Sequence, residues 1–300
     1  MSLSIYNIKR WIKMFQGKSI EHVDQRAGKI YSKFEIKGYY NDLTQKVLKT
    51  LNYEELLLPK LQLQSGEKIY FPISIFQYGL GAYDLYLLEG KIIYLEIFKK
   101  CVDWALDNQN NNGSWDTFFF KDIENSFSAM AQGEGISLLI RAYSQFSNLV
   151  YLESAKKAIH YMIKPIENNG TTCYKEDKVF LLEISNQPVI LNGWIFAIFG
   201  IYDYLIINND VEIEKIYRNT VDTLVENLEL FDKGYWSKYD IDNMIASPFY
   251  HELHIAQLEV LYDLTGIEEF KYYSLKWEDY RKSKLNYFHA LMSKAIQKLL

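Results

Sequence analysis

Three hundred residues, 49% of them hydrophobic and 16% aromatic, can bury one large core or two modest ones, and a formal net charge of -5 leaves no basic surplus for a nucleic-acid partner. Cys101 and Cys173 are the only cysteines, too few for a disulfide framework or a thiolate metal site, so free thiols and a reducing, cytoplasmic setting are expected. No run of about 18 apolar residues occurs, so no membrane span is expected.

Taken in order, the chain begins MSLSIYNIKRWIKMFQGK, which interleaves cations with short apolar pieces and lacks the continuous apolar region of a secretory signal. Ile5 to Phe15 reads as a short basic amphipathic helix that packs on the domain. The strand-like IYSKFEIKGYY follows, and then a helix from Asn41 to about Leu51 with Asn41 or Asp42 near its cap. Residues 1–70 therefore form a lead segment, and 71–300 the main domain.

From Phe71 the pattern is almost entirely helical, broken by polar turns at Asn108 to Gly113, Glu167 to Gly170 and Ile207 to Asp210. Four stretches share a layout, polar residues first and apolar or tyrosine-rich residues after. They are QYGLGAYDLYLLEG from Gln77, QGEGISLLIRAYSQFSN from Gln132, NGWIFAIFGIYDYLIINN from Asn192 and HELHIAQLEVLYDLTG from His251. Starts roughly 55 to 60 residues apart suit two helices plus loops, and the arrangement that buries every stripe is an all-α toroid of helical hairpins. Its inner helices are expected to start near Gln77, Ser128, Leu191 and Tyr250, with polar ends converging on one mouth. Ile92 to Asp107 and Val211 to Leu228 belong to the outer layer.

Within the second stretch, Gly133 and Gly135 sit inside a helix at a cost of roughly 1 kcal/mol each, which points to close approach of a backbone or a ligand. Three constellations carry chemistry. Glu183, in FLLEISNQPVILNGW, follows an apolar run; a carboxylate at the mouth of an apolar cavity can act as a base, and the alternative is a solvated loop carboxylate. Tyr239, in GYWSKYDIDN, follows a Gly-aromatic turn, where a phenol can donate or accept a proton. Tyr250, His254 and Gln257 share one helical face after Pro248, with His251 beside them. Two histidines without a completing carboxylate or cysteine make no familiar metal pattern, and no metal is expected. Asp116, after Trp115 in GSWDTFFF, is a candidate to pair with Glu183 as in a glycosidase. No phosphate loop, nucleophile elbow or kinase signature occurs.

SAMAQGEGISLLIRAY, VILNGWIFAIFGIYDY and YHELHIAQLEVL together resemble the C-terminal helical domain of D-glucuronyl C5-epimerases, with QYGLGAY from Gln77 fitting as well; the likeness runs from about Gly38 to Trp277. The resemblance implies an incomplete α/α toroid with a cleft for a linear glucuronate-containing polysaccharide or oligosaccharide, and conversion of D-glucuronate to L-iduronate without a cofactor. It also implies Glu183 as the base and Tyr239 and Tyr250 as the catalytic tyrosines; Glu183 and Tyr239 are the expected acid/base pair flanking C5, and substrate contacts are expected from Gln77, Tyr78, Gln132, Asn192, Trp194, His251 and His254. This chain departs from the family at Ile184, where a tyrosine is common, and at Asp242, where an arginine is expected. A lyase or hydrolase of the same architecture and a non-catalytic glycan-binding module are the other readings, and the oligomeric state stays open between monomer and homodimer.

Overall fold

The computed structural model describes residues 23–51 and 56–299; the helix expected over Ile5 to Phe15 lies outside them. Four helical hairpins succeed one another: α2 (Pro72–Glu89) with α3 (Ile92–Asp107), α4 (Ala129–Phe146) with α5 (Leu149–Met162), α6 (Leu191–Ile207) with α7 (Val211–Asn227), and α8 (Pro248–Thr265) with α9 (Glu268–Lys282). The first helix of each pair packs on the first of the next, α2 on α4, α4 on α6 and α6 on α8, and the second helix of each pair packs against its own partner. This is the expected α/α toroid. A short α1 (Thr44–Leu48) lies on α2, and α10 (Lys284–Leu299) lies on α9. Among the described residues, strand is confined to two antiparallel hairpins, β1 (Leu61–Gln62) with β2 (Lys68–Ile69) and β3 (Thr172–Lys175) with β4 (Lys178–Leu181). No described helix is long and apolar enough to cross a membrane, and both cysteines are free and buried.

Apolar residues assign the layers. Inner α6 is buried without a break from Leu191 to Ile201, whereas outer α7 buries one stripe that includes Ile213, Val221 and Leu224 and turns Glu212, Glu214 and Arg218 to solvent. Ser128 caps α4, its hydroxyl accepting from Ala131 N at 3.3 Å, and Asp210 caps α7 in the same manner. Pro248 starts α8 and Pro72 starts α2, earlier than the expected position near Gln77, because proline at the first turn gives up no intrahelical hydrogen bond.

Backbone approach accounts for Gly133. A Cβ there would stand 2.6 Å from Ala197 Cα, and one on Gly200 would stand 2.4 Å from Gly133 Cα. The two glycines let α4 and α6 touch backbone to backbone, so the cost of Gly133 is offset by inner-ring packing rather than by a ligand.

The lead segment differs from its pattern. IYSKFEIKGYY forms no strand: Gly28 N donates to Tyr40 O at 2.7 Å and Gly38 N to Ile30 O at 3.2 Å, closing the stretch into a loop whose tip, Phe34, is 88% exposed. The alternation was real, but the ring leaves no sheet edge to receive it; Tyr39 and Tyr40 enter the helical core instead. The helix expected from Asn41 to Leu51 shortens to α1, with Asp42 accepting from Thr44 N at 3.0 Å.

Candidate active site

The polar ends of the inner helices meet around a cavity of about 350 Å³. Gln77 of α2, Asn192 of α6, Tyr250 of α8 and Glu183 all line it, together with Lys46, Lys121, Phe118, Phe120, Phe249 and the β1–β2 hairpin.

Glu183 is placed by the residues around it. Leu182 N donates to Thr171 O at 2.9 Å and Leu182 O accepts from Ala129 N at 2.9 Å, which pins the end of the β3–β4 hairpin to the start of α4. The next side chain then lies on the first turn of α6 against Gly193, where an added Cβ would stand 2.3 Å from Glu183 Oε2. Only glycine leaves room for the carboxyl group there. Oε2 has no hydrogen-bond partner, and burial raises the carboxyl to about 7, opposed by the charge of Lys121. A carboxyl titrating there is partly ionised near neutral pH and can both accept and return a proton.

Tyr239 and Tyr250 face one another, ring centroids 4.7 Å apart at 63°. Tyr250 sits in the first turn of α8, its N–H donating to Ser247 Oγ at 3.4 Å. Tyr239 comes from the loop before α8, which is sewn to the start of α6 by Leu191 N to Tyr239 O at 3.1 Å and Ile241 N to Val189 O at 2.9 Å. Its phenol is held well above the usual value, first by burial and then by the charge of Glu183. The phenol therefore keeps its proton at neutral pH. α10 braces this loop from outside: Ile245 N donates to Gln297 Oε1 at 2.9 Å, and the Lys294 ammonium lies 5.8 Å from the Tyr239 ring.

The remaining expected contacts point into the protein. Gln132 accepts from Trp115 N at 3.0 Å and donates to the carbonyls of Gly113 at 3.0 Å and Ala158 at 3.1 Å, stapling the α3–α4 loop. Trp194 donates to Thr220 Oγ1 at 2.8 Å. Tyr78 is buried near Cys101. His251 Nδ1 accepts from Ser237 N at 3.1 Å, its Nε2 lies 3.0 Å from Trp277 O, and its ring stacks on Trp236. Burial lowers it to about 3 and His254 well below the usual range, so both are neutral packing groups behind the tyrosines. Among the described residues, no cluster of ligands has metal-binding geometry.

Two further charged residues stand beside these groups: Lys121 lines the cavity, and Glu134, part of the polar start of α4, meets it through Gln77. Glu134, one turn into α4, accepts from Gln77 Nε2 at 2.7 Å through one oxygen and leaves the other without a partner; burial raises it to about 8. Lys121 follows three phenylalanines and had no pattern to mark it. Its ammonium lies 4.4 Å from the Phe118 ring. Asp116 lines a different cavity from Glu183 and hydrogen-bonds Ser126, so the structure does not bring these two carboxyls together in one cavity.

A family model described as the D-glucuronyl C5-epimerase C-terminus matches residues 109–279. D-glucuronyl C5-epimerase of Caenorhabditis elegans is 29% identical over 201 residues, 57% of this chain and 32% of that protein. An uncharacterized protein, MJ1128, of Methanocaldococcus jannaschii is 28% identical over 157 residues, 50% of this chain and 51% of that one. The chain thus matches between about a third and a half of the length of these relatives. The crystal structure of an unsaturated glucuronyl hydrolase from Bacillus sp. GL1, responsible for the degradation of glycosaminoglycan, superimposes with a TM-score of 0.44 at 13% identity, covering 73% of this chain and 61% of that one.

Proposed function

The chain belongs to the D-glucuronyl C5-epimerase family through its C-terminal domain, and from that premise we propose that it is a uronyl C5-epimerase, converting D-glucuronate to L-iduronate residues within a heparan- or heparosan-like polysaccharide or oligosaccharide. The observation that carries the reading is the Glu183 carboxyl, buried, raised to about 7 and without a partner on Oε2, in the same cavity as Tyr250 with Tyr239 behind it.

Epimerisation at C5 removes a proton from the carbon that bears the uronate carboxylate and returns one to the opposite face. Ionised Glu183 takes the C5 proton, and the C–H electron pair moves into the carboxylate as an enediolate. Tyr250 gives its phenolic proton to the other face of C5, inverting the centre, and Tyr239 shares the resulting charge through the contact of the two phenols. Lys121 lines the same cavity; paired with the uronate carboxylate, where negative charge accumulates, its ammonium would stabilise the transition state most. Gln77 and Asn192 orient the ring from the helix ends.

Incubation with glucuronate-containing oligosaccharides in deuterated water tests this. Deuterium should appear at C5 with no shortening of the chain, and Glu183→Gln should abolish the exchange, since an amide cannot take the proton. An unsaturated product would replace the reading with a lyase, and new saturated reducing ends with a hydrolase.

A further inference from the structure

A second cavity, of about 410 Å³, opens on the other side of the same two walls. One wall is the β1–β2 hairpin, which turns Leu61 to Gln64 to the Glu183 cavity and Lys68 and Tyr70 to the second. The other is the phenylalanine run before Lys121, which turns Phe118 and Phe120 to the Glu183 cavity and Phe119 to the second. Lys60, Lys68, Tyr70, Trp104, Asp116 and Phe119 define the space. Tyr70 is 43% exposed and Phe119 51%, so two large rings present their surfaces to solvent. The Lys60 ammonium sits 4.6 Å from the centre of the Tyr70 ring. Two ammonium groups thus stand against one carboxylate, Asp116, which is engaged by Ser126. Lys60, Lys68 and Tyr70 all precede the residues that match the family model.

We propose that this cavity binds a second acidic sugar of the glycan, beyond the residue that reacts, with Tyr70 and Phe119 against the sugar ring and Lys60 and Lys68 paired with its carboxylate. Aromatic rings beside cations suit a saccharide that is apolar on its ring face and anionic at its edge. The shared walls make the two cavities neighbours along one chain. The proposal rests on the glycan reading of the Glu183 cavity and adds the acidic class of the distal residue and the groups that select it.

The test is affinity measured calorimetrically against heparosan oligosaccharides of increasing length, for the full chain and for Lys60→Ala/Lys68→Ala and Tyr70→Ala. Affinity of the unaltered chain should rise once the oligosaccharide is long enough to reach both cavities. The double lysine variant should lose roughly tenfold for the long oligosaccharides, and Tyr70→Ala a comparable amount, while the disaccharide is held within about twofold. Lys60→Arg/Lys68→Arg should restore the gain with length, and in turnover the loss should fall on KM with kcat kept. Loss that is equal at every length, or absent at every length, overturns the second site and leaves the reaction assignment standing. Failure of the unaltered chain to bind any member overturns both.

Discussion

At the base of the ring, Arg141 of α4 donates to Asp203 of α6 at 2.6 Å, to Ser137 O at 3.0 Å and to Gly38 O at 2.9 Å, while Tyr40 donates to the other Asp203 oxygen at 2.8 Å. At and behind the mouth, Glu183 and Glu134 are also buried, yet each keeps one carboxyl oxygen without a partner. Both ends carry charge out of water. The base answers that cost with an ion pair and hydrogen bonds that tie the lead segment to two inner helices, although Arg141 Nε keeps no partner. At the mouth Gln77 and Lys121 answer it only in part, and burial raises the carboxyls, Glu183 to about 7 and Glu134 to about 8.

Breaking the base should therefore cost stability, and altering the mouth should cost turnover. Asp203→Ala should lose about 3–5 kcal/mol in denaturant unfolding, because it strands a buried guanidinium. A loss below about 1 kcal/mol would mean that water or backbone rescues Arg141 and that the two ends do not differ as described. Tyr250→Phe should lower turnover by about 10² to 10⁴ while shifting the unfolding free energy by less than about 1 kcal/mol. Collapse of stability with activity per folded molecule unchanged would make Tyr250 a core residue and erase the contrast from the other side.

The smallest effect is the most diagnostic. Glu183 titrates near 7 when folded against an ordinary value of 4.5, so between those pH values the folded chain keeps a proton that the unfolded chain has lost, and stability falls as pH rises through the window. Glu183→Gln should match the parent in unfolding measurements at about pH 4 and exceed it by about 1–3 kcal/mol at pH 8. Asp84, raised to about 8 by burial, acts in the same direction and cancels in the difference, whereas Glu134 is raised in part by the charge of Glu183, so its relief adds to the gain of the variant at high pH. A parent that is the more stable at pH 8 would show that the Glu183 carboxylate is well solvated or paired.

Much of this contrast was legible in the residues themselves. The repeated polar-then-apolar layout marked the four inner helices, and Glu183 after its apolar run and Tyr250 after Pro248 stood out as chemistry. Gln132, Trp194 and the histidines share the polar helix starts but satisfy interior partners, and nothing in their spacing distinguishes a group aimed inward from one aimed at the cavity. Lys121 is ordinary in sequence and Glu134 stands there only as one member of a polar helix start; burial and neighbours far along the chain set the surroundings of each.

By itself the sequence determined the helical class, the pairing of helices and the identity of the ring, because a hydrophobic period is a local property that every turn repeats. Only the tertiary structure decided which polar groups close into a network and which remain open, that Gly133 serves helix contact while Gly193 makes room for a carboxyl, and that the tyrosines of the lead segment join the core. Those outcomes depend on distances between residues tens to hundreds of positions apart, and a dielectric environment belongs to the assembled ring rather than to any stretch of it.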